Sequence, residues 1–490
     1  MRLLNLLEGV EFNGALPPGD LQISGVAYDS RKIKEDNLFV AIKGEKTDGN
    51  RFVDQARARG ASAVVSEYPP AADFSGPWIQ VRHCRKALAM ISANFFGHPT
   101  RNLELVGITG TNGKTSTAYL MESVLKASRT KVGMISTIVY RGPGGAVAAE
   151  RTTPESLDLQ ELFAGFLKQG CHYVVMEVSS HALAMDRVYA AQFRSAVFTN
   201  LTPDHLDYHR TLDNYFEAKK QLFLGIGSRP PRQSVINLDD PRGKPLTEVC
   251  AGRCLSYSTG PPADFRVLNV QTKHSGTNIQ LETPAGEWNV KSRLLGRPNL
   301  SNILAAVATC YDLGIDREII QQGVELCSAI PGRFELIDCG QSFRVVVDYA
   351  HTEDALEKIL LTAHELNPKK VLLLFGCGGE RDKTKRPAMG AVAEKLSHFC
   401  IITSDNPRSE NPSEIIEQIE RGFKHKPSQY LVEPDREKAI QKILNMAEPG
   451  DVVVLAGKGH ETYQVLAHEN IHFDDREMAR TLLKDFGRVV

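Results

Sequence analysis

The sequence predicts an α/β protein of three domains, and three observations carry that expectation. Its 490 residues exceed what one ordinary core holds, at about 150 residues per domain. Short apolar runs alternate with helix-like stretches along the chain, the pattern of strand–helix–strand units with parallel strands. One run breaks into a glycine-rich turn, Leu105-Val-Gly-Ile-Thr-Gly-Thr-Asn-Gly-Lys-Thr-Ser116, as a strand does when it feeds a phosphate-cradling loop and a helix. Composition is ordinary for a globular chain, with 42% hydrophobic and 24% charged residues. A net charge of −1 speaks against a nucleic-acid partner held by overall charge. No apolar run approaches the roughly 20 residues of a membrane span.

Residues 1–97 form the first section. It begins on Met1-Arg-Leu-Leu-Asn-Leu-Leu-Glu8, which reads as a short amphipathic helix, because Asn5 and Glu8 break the apolar run and no small-residue cleavage site follows. Strands at 38–42 and 63–66 make this a smaller N-terminal α/β domain. Gly97-His-Pro-Thr100 separates it from residues 98–330, with strands at 103–109, 173–179, 195–200 and 234–238. This is the central, P-loop-type parallel-sheet domain. After Ile330-Pro-Gly-Arg333, residues 331–490 add strands at 343–348, 370–375, 399–403 and 451–455, a C-terminal Rossmann-like α/β domain. The nine cysteines are scattered. Only Cys250 and Cys254 are close, and no second Cys or His pair lies at zinc-site spacing. Unpaired thiols in a long chain point to a reducing cytoplasm.

The loop is the strongest chemical signal. Gly110 and Gly113, with Thr111 and Asn112 between them, free backbone N–H groups to converge on phosphate oxygens, and the helix beginning near Ser116 adds partial positive charge. Lys114 then reaches the β/γ-phosphates of a nucleoside triphosphate, and the Thr115 hydroxyl ligates Mg²⁺. The gap of two residues between the glycines is shorter than the usual four. Glu177 ends the strand Tyr173-Val-Val-Met-Glu177, where a phosphate-loop enzyme places a carboxylate toward Mg²⁺. His205 follows another strand in Asp204-His-Leu-Asp-Tyr-His209. Spacing alone leaves it open between a ligand and a solvated side chain, though His205 and His209, four apart, could share a helical face. Lys219 and Lys220 read as the solvated face of an amphipathic helix. Arg381, Arg408 and Glu461 stand in polar strand-end clusters. An arginine can clamp a carboxylate bidentately and a glutamate can pair an ammonium, which together suit a zwitterionic amino acid.

Gly107-Ile-Thr-Gly-Thr-Asn-Gly-Lys-Thr115, Glu177-Val-Ser-Ser-His181, Asn200-Leu-Thr-Pro-Asp-His-Leu-Asp207 and Asp348-Tyr-Ala-His351 together resemble the Mur ligases, over nearly the whole chain and in order. These are ATP-dependent, ADP-forming amide ligases of peptidoglycan synthesis. Asp29-Ser-Arg31 and Leu38-Phe-Val-Ala-Ile-Lys-Gly44 resemble the uridine-nucleotide-binding domain of the branch that adds the third peptide residue. Its substrate is UDP-N-acetylmuramoyl-L-alanyl-D-glutamate. Members adding meso-diaminopimelate carry Asp-Asn-Pro-Arg, present here as Asp405-Asn406-Pro407-Arg408. The resemblance implies a diaminopimelate pocket of Arg381, Asp405, Asn406, Pro407, Arg408, Gly457 and Glu461. It implies muramoyl contacts at Thr152, Thr153, Ser179 and Arg187, a uridine-side contact at Ser30, and ATP contacts at Asn299, Asn302, Arg333 and Asp348. It further implies two Mg²⁺ ions and a CO₂-derived carbamate on Lys219, in Ala218-Lys-Lys-Gln-Leu-Phe223. The carbamate and His205 hold the second ion. Lys220 is the alternative if the register slips by one.

The chemistry implied is an acyl-phosphate route. The D-glutamate γ-carboxylate attacks the ATP γ-phosphate, and the diaminopimelate amine then displaces phosphate. His351 and His181 are both conceivable proton acceptors for that amine. A bacterial, cytoplasmic monomer without membrane or nucleic-acid partner is expected. Rival readings are a folylpolyglutamate synthase, which needs no Asp-Asn-Pro-Arg and lacks the uridine-type domain, a lysine-adding ligase, disfavoured by Arg408, and a nucleotide-dependent switch protein, which needs no amino-acid pocket.

Overall fold

A computed structural model describes residues 1–14, 20–44, 47–72, 74–273, 276–424 and 429–486. Three large sheets follow one another along the chain, and each has its own apolar core. The first has five strands between Phe12 and Val81, four of them parallel, with the strand Phe12–Asn13 antiparallel at one edge. The helix Leu3–Leu6 is the short amphipathic turn expected from the first eight residues, burying Leu3 and Leu6.

The central sheet has eleven strands. Glu104–Thr109 lies in its middle, buried on both faces, which is why the sequence there is a continuous apolar run without alternation. Its neighbours Tyr173–Glu177 and Ser195–Phe198 run parallel to it. The register pairs Glu177 with Ile108 and Phe198 with Thr109, so three strand ends finish together beside the glycine-rich loop. The helix Lys114–Ala127 starts directly from that loop and packs against the helices Arg297–Asp312 and Arg317–Leu326.

One part of this sheet was not foreseen from sequence. Phe265–Lys273, Gly276–Thr283 and Gly286–Ser292 form an antiparallel meander that extends the parallel sheet. The signal was present, because Thr277, Ile279, Leu281 and Thr283 turn inward while the residues between them turn outward.

The C-terminal sheet has six strands. Arg344–Asp348, Val452–Ala456, Val371–Phe375 and Phe399–Ile402 are parallel neighbours in that order. Their carboxyl ends therefore share one rim, and the loops after Asp348, Phe375, Ile402 and Ala456 meet there. Ligands bind beyond such ends in open parallel sheets. Among the described residues no helix is long and apolar enough to cross a membrane.

Candidate active site

The glycine-rich loop fits its surroundings closely enough to exclude a side chain at two positions. Gly110 has φ +148°, and a Cβ there would lie 1.8 Å from Thr199 Oγ1. Gly113 has φ +86°, and its Cβ would lie 2.3 Å from Asn302 Oδ1. Both conformations favour glycine. Thr199 Oγ1 donates to the Asn112 carbonyl at 2.6 Å, Asn200 Oδ1 accepts from the Asn112 N–H at 2.9 Å, and the Thr111 N–H donates to the Asn200 carbonyl at 2.9 Å. The strand end 199–200 thus splints the loop.

Lys114 Nζ donates to the carbonyls of Gly110 (2.9 Å) and Thr111 (2.8 Å), and burial lowers its pKa. Lys219 Nζ donates to the same Gly110 carbonyl at 2.8 Å and sits 4.2 Å from the Tyr215 ring centroid. The expectation of a solvated Lys219 is corrected here, since only 2% of the residue is exposed. Its helix, Leu212–Leu224, buries Tyr215, Ala218, Lys219, Leu222 and Phe223 along one stripe. Desolvation, with the Lys114 charge adding to it, holds the Lys219 amine well below the usual lysine pKa. Lys220 points elsewhere and pairs with Glu217 at 2.5 Å.

Glu177 is almost fully buried. Its carboxylate accepts from the Thr137 N–H (2.8 Å) and hydroxyl (3.0 Å). Thr115 Oγ1 accepts from Arg333 Nη2 at 3.4 Å, a contact between central and C-terminal domains. His205 precedes the one-turn helix Leu206–His209 with φ +54° and lies 3.6 Å from the Asp204 carboxylate. Burial lowers its pKa to about 4, so the ring is neutral at pH 7. His205 and His209 do not act from one helical face. His209 is buried against Ser180 Oγ at 2.9 Å, while His205 faces a cavity. His181 lies between them, 4.7 Å and 5.5 Å from their ring centroids.

Among the described residues, no three His, Cys, Asp or Glu side chains converge to hold a metal ion unaided. The donors present nevertheless suit Mg²⁺, which takes one or two protein oxygens and completes its shell with phosphate and water. Thr115 and Glu177 offer such oxygens. His205 offers a neutral nitrogen, and Lys219 joins the set only if CO₂ adds to its neutral amine, giving a carbamate and releasing a proton.

Two cavities flank this partition. The larger, about 1140 Å³, is lined by Thr152, Thr153, Ser179, Arg187 and His205 on one side and by Arg381, Asp405, Asn406, Arg408, Gly457 and Glu461 on the other. The second, about 570 Å³, is lined by Asn112, Gly113, Ser116, Asn299, Asn302, Arg333 and Asp348. They meet at Tyr349 and His351, which line both. Ser30 is not brought to either wall. It is buried and donates to Gln55 Oε1 at 2.8 Å, while its neighbour Tyr28 lines the larger cavity. Pro407 also stays behind the wall, its carbonyl so close that a Cβ on Gly379 would lie 1.9 Å away.

In the larger cavity, Thr153 Oγ1 donates to the Glu177 carbonyl at 2.9 Å and accepts from the Ser179 N–H at 3.0 Å. Arg187 donates to the Thr153 carbonyl at 3.2 Å and pairs with Glu155 at 3.5 Å. In the second cavity, Asn299 holds Asn302 at 3.1 Å. The Asp348 carboxylate accepts from the N–H groups of Phe334 and Ala350, both at 2.7 Å, and burial raises its pKa. The Arg333 guanidinium lies 4.7 Å from the Tyr349 ring centroid.

Across the C-terminal rim, Arg408 has φ +53° and donates through Nη1 to the Gly379 carbonyl at 2.7 Å. Asn406 donates to Glu461 at 2.8 Å. Sequence reading missed Lys458, which is fully buried and lies 3.2 Å from both Asn406 Oδ1 and Glu461 Oε2. Asp354 was missed too. Its Oδ2 accepts from Asn112 (3.0 Å), Thr202 (3.3 Å) and Lys358 (2.8 Å), tying the C-terminal domain to the phosphate loop. Asp354→Ala is expected to loosen that domain and enlarge the radius of gyration of the ligand-free protein in X-ray scattering. Identical profiles for variant and parent would show that this carboxylate does not hold the domains together.

Comparison with known proteins agrees with this geometry. Residues 22–96 match the Mur ligase family catalytic domain, 108–310 the Mur ligase middle domain, and 332–459 the Mur ligase glutamate ligase domain. A protein of Solibacter usitatus named UDP-N-acetylmuramoyl-L-alanyl-D-glutamate--2,6-diaminopimelate ligase is 47% identical over 99% of both chains. One of Clostridium acetobutylicum, with the same name and the suffix 1, is 41% identical over 99% of this chain and 100% of its own. A solved structure of a ligase of that name covers 100% of both chains with a TM-score of 0.70 and 30% identity. The chain belongs to the Mur ligase family.

Proposed function

We propose that this protein is the ATP-dependent ligase that joins meso-diaminopimelate to UDP-N-acetylmuramoyl-L-alanyl-D-glutamate in peptidoglycan synthesis, releasing ADP and phosphate. The observation that carries the reading is the partition. A phosphate loop stands between a cavity walled by Asn299, Asn302 and Arg333 and one that contains the Asp-Asn-Pro-Arg arginine. ATP fits the smaller cavity, with its triphosphate on residues 110–116. The muramoyl peptide lies along Thr152, Thr153, Ser179 and Arg187, with its nucleotide toward Tyr28 and Ser30. Its γ-carboxylate then reaches the partition, where phosphorylation converts a poor leaving group into a good one. The diaminopimelate amine attacks from the C-terminal rim, and the carbon–nitrogen bond forms as phosphate leaves.

Mg²⁺, held through Thr115 and Glu177 and at a second position through His205 and a carbamate on Lys219, supplies charge neutralisation between carboxylate and triphosphate. A neutral amine is what adds to CO₂, and the depressed pKa of Lys219 supports its choice over the ion-paired Lys220. One chain lines both cavities, so a monomer suffices for the reaction. Nine free thiols suit the cytoplasm.

The test offers purified protein ATP, Mg²⁺ and UDP-muramoyl dipeptide with either diaminopimelate or lysine. Amide product with the former and little with the latter is expected, and the reverse preference overturns the reading. Arg408 sets that preference, since lysine leaves the guanidinium without the carboxylate it would clamp. Arg408→Ala is expected to cut the diaminopimelate-over-lysine ratio of kcat/KM by about 100-fold or more. An unchanged ratio would assign selectivity to other residues.

A further inference from the structure

The strand Val452–Ala456 runs out into Gly457-Lys-Gly459, and this turn carries the Lys458 side chain into the protein. Gly457 has φ +109° and Gly459 φ +53°, and Cβ atoms there would lie 3.0 Å from Asp405 Oδ2 and 2.6 Å from Tyr349 Cβ. The Glu461 N–H closes the turn on the Lys458 carbonyl at 3.0 Å. Lys458 lines neither cavity, yet its ammonium lies among three side chains that all line the larger one. It donates to Asn406 Oδ1 and to Glu461 Oε2, each at 3.2 Å, and stands 3.9 Å from Asp405 Oδ1. Asp405 Oδ1 is buried and has no hydrogen-bond partner among the described residues. Asn406 Nδ2 also donates to Glu461 Oε2 at 2.8 Å, while Asn406 Oδ1 accepts from the Val465 N–H at 3.0 Å. Both bonds to Glu461 thus fall on one oxygen, which leaves the other for a ligand.

Given the diaminopimelate pocket assigned to this rim, we propose that Lys458 is a positioning residue for the diaminopimelate ammonium, acting from behind the wall through Glu461 and Asn406. Asp405 and Glu461 place two carboxylates around one buried cation, and the remaining negative charge matches a single ligand ammonium. The other cations near the pocket do not take over this task. Arg436 is matched by Asp475 through bonds of 2.8 Å and 2.6 Å, and Arg408 donates to the Gly379 carbonyl. Burial holds His460 at a pKa of about 3 and raises those of Tyr349 and Tyr463, so all three are neutral at pH 7. Burial and the Asp405 charge both raise the Glu461 pKa, and Lys458 opposes them. A protonated Glu461 would lose the charge that draws an ammonium. The lysine therefore governs both the aim and the charge of this carboxylate.

The test measures KM for diaminopimelate, ATP and UDP-muramoyl dipeptide in the parent and in Lys458→Met, between about pH 6.5 and 8.5. The variant is expected to raise the diaminopimelate KM about 10–100-fold at the acid end, with the other two KM values close to the parent's. The excess should shrink as pH rises, because without its cation Glu461 ionises later and pairs with the ammonium only once ionised. Adding Lys458→Met to Glu461→Gln should bring no such pH-dependent excess. Lys458→Gln, which keeps a donor without the charge, should repeat the pattern and serves if the methionine variant does not fold. A diaminopimelate KM equal to the parent's, or an excess constant across pH, would overturn the role. So would equal losses for all three substrates, or failure of both variants to fold, since either makes the lysine a general support of the fold. A parent that forms no amide with diaminopimelate would instead remove the pocket reading itself, and the same assay shows this before any variant is compared.

Discussion

Lys114→Ala is expected to lower kcat by about 10²–10³-fold or more, the cost of removing one preorganised charge from a transition state that gathers negative charge. An anionic carboxylate must approach an anionic triphosphate, and Lys114 is the cation built into the loop itself. In the structure its amine is folded back on the Gly110 and Thr111 carbonyls. A phosphate oxygen offers a stronger, charge-assisted partner at the same reach. The substitution leaves the muramoyl wall intact, because Thr153, Ser179 and Arg187 are held by one another and by Glu155 and Glu177, without Lys114. Phosphate release in steady state should therefore collapse while calorimetric binding of UDP-muramoyl dipeptide changes little. Near-normal turnover would remove the phosphate-transfer role from this lysine.

The second large effect is expected at Lys219. Lys219→Ala should lose about 100-fold or more in kcat, and short carboxylic acids such as formate or acetate should restore part of it. The truncation opens a space beside the Gly110 carbonyl and the Tyr215 ring, where a free carboxylate can replace the carbamate oxygens. Lys220→Ala should stay close to the parent, since that side chain only pairs with Glu217 on the outer side. Absence of rescue across carboxylates of different length would refute the carbamate. A large loss at Lys220 would shift the modification by one residue.

The glycine-rich loop, the strand ends and the polar clusters on them were legible in sequence because they are local. A strand buried on both faces is a continuous apolar run, and Gly-Lys-Thr after it has few other uses. Lys219 was misread for a reason its helix shows. Tyr215, Ala218, Leu222 and Phe223 form an apolar stripe at helical spacing, and Lys219 lies four residues from both Tyr215 and Phe223, within that stripe. A cation in the middle of such a stripe is buried, and the spacing could have said so. Lys458 and Asp354 carried no comparable signal. Their partners Asn406, Asn112 and Thr202 are distant in sequence and come near only once the domains are folded and docked. Ser30 and Pro407 lie behind the cavity wall, which Tyr28, Asn406 and Arg408 line nearby.

The seam at Tyr349 and His351 also bears on inhibition. A compound that crosses it, with a purine on one side and an acidic peptide on the other, would engage both chambers through a single tether. It would gain the avidity of a linked pair without any new contact. The segment 349–351 is short, so the linker such a compound needs is short as well.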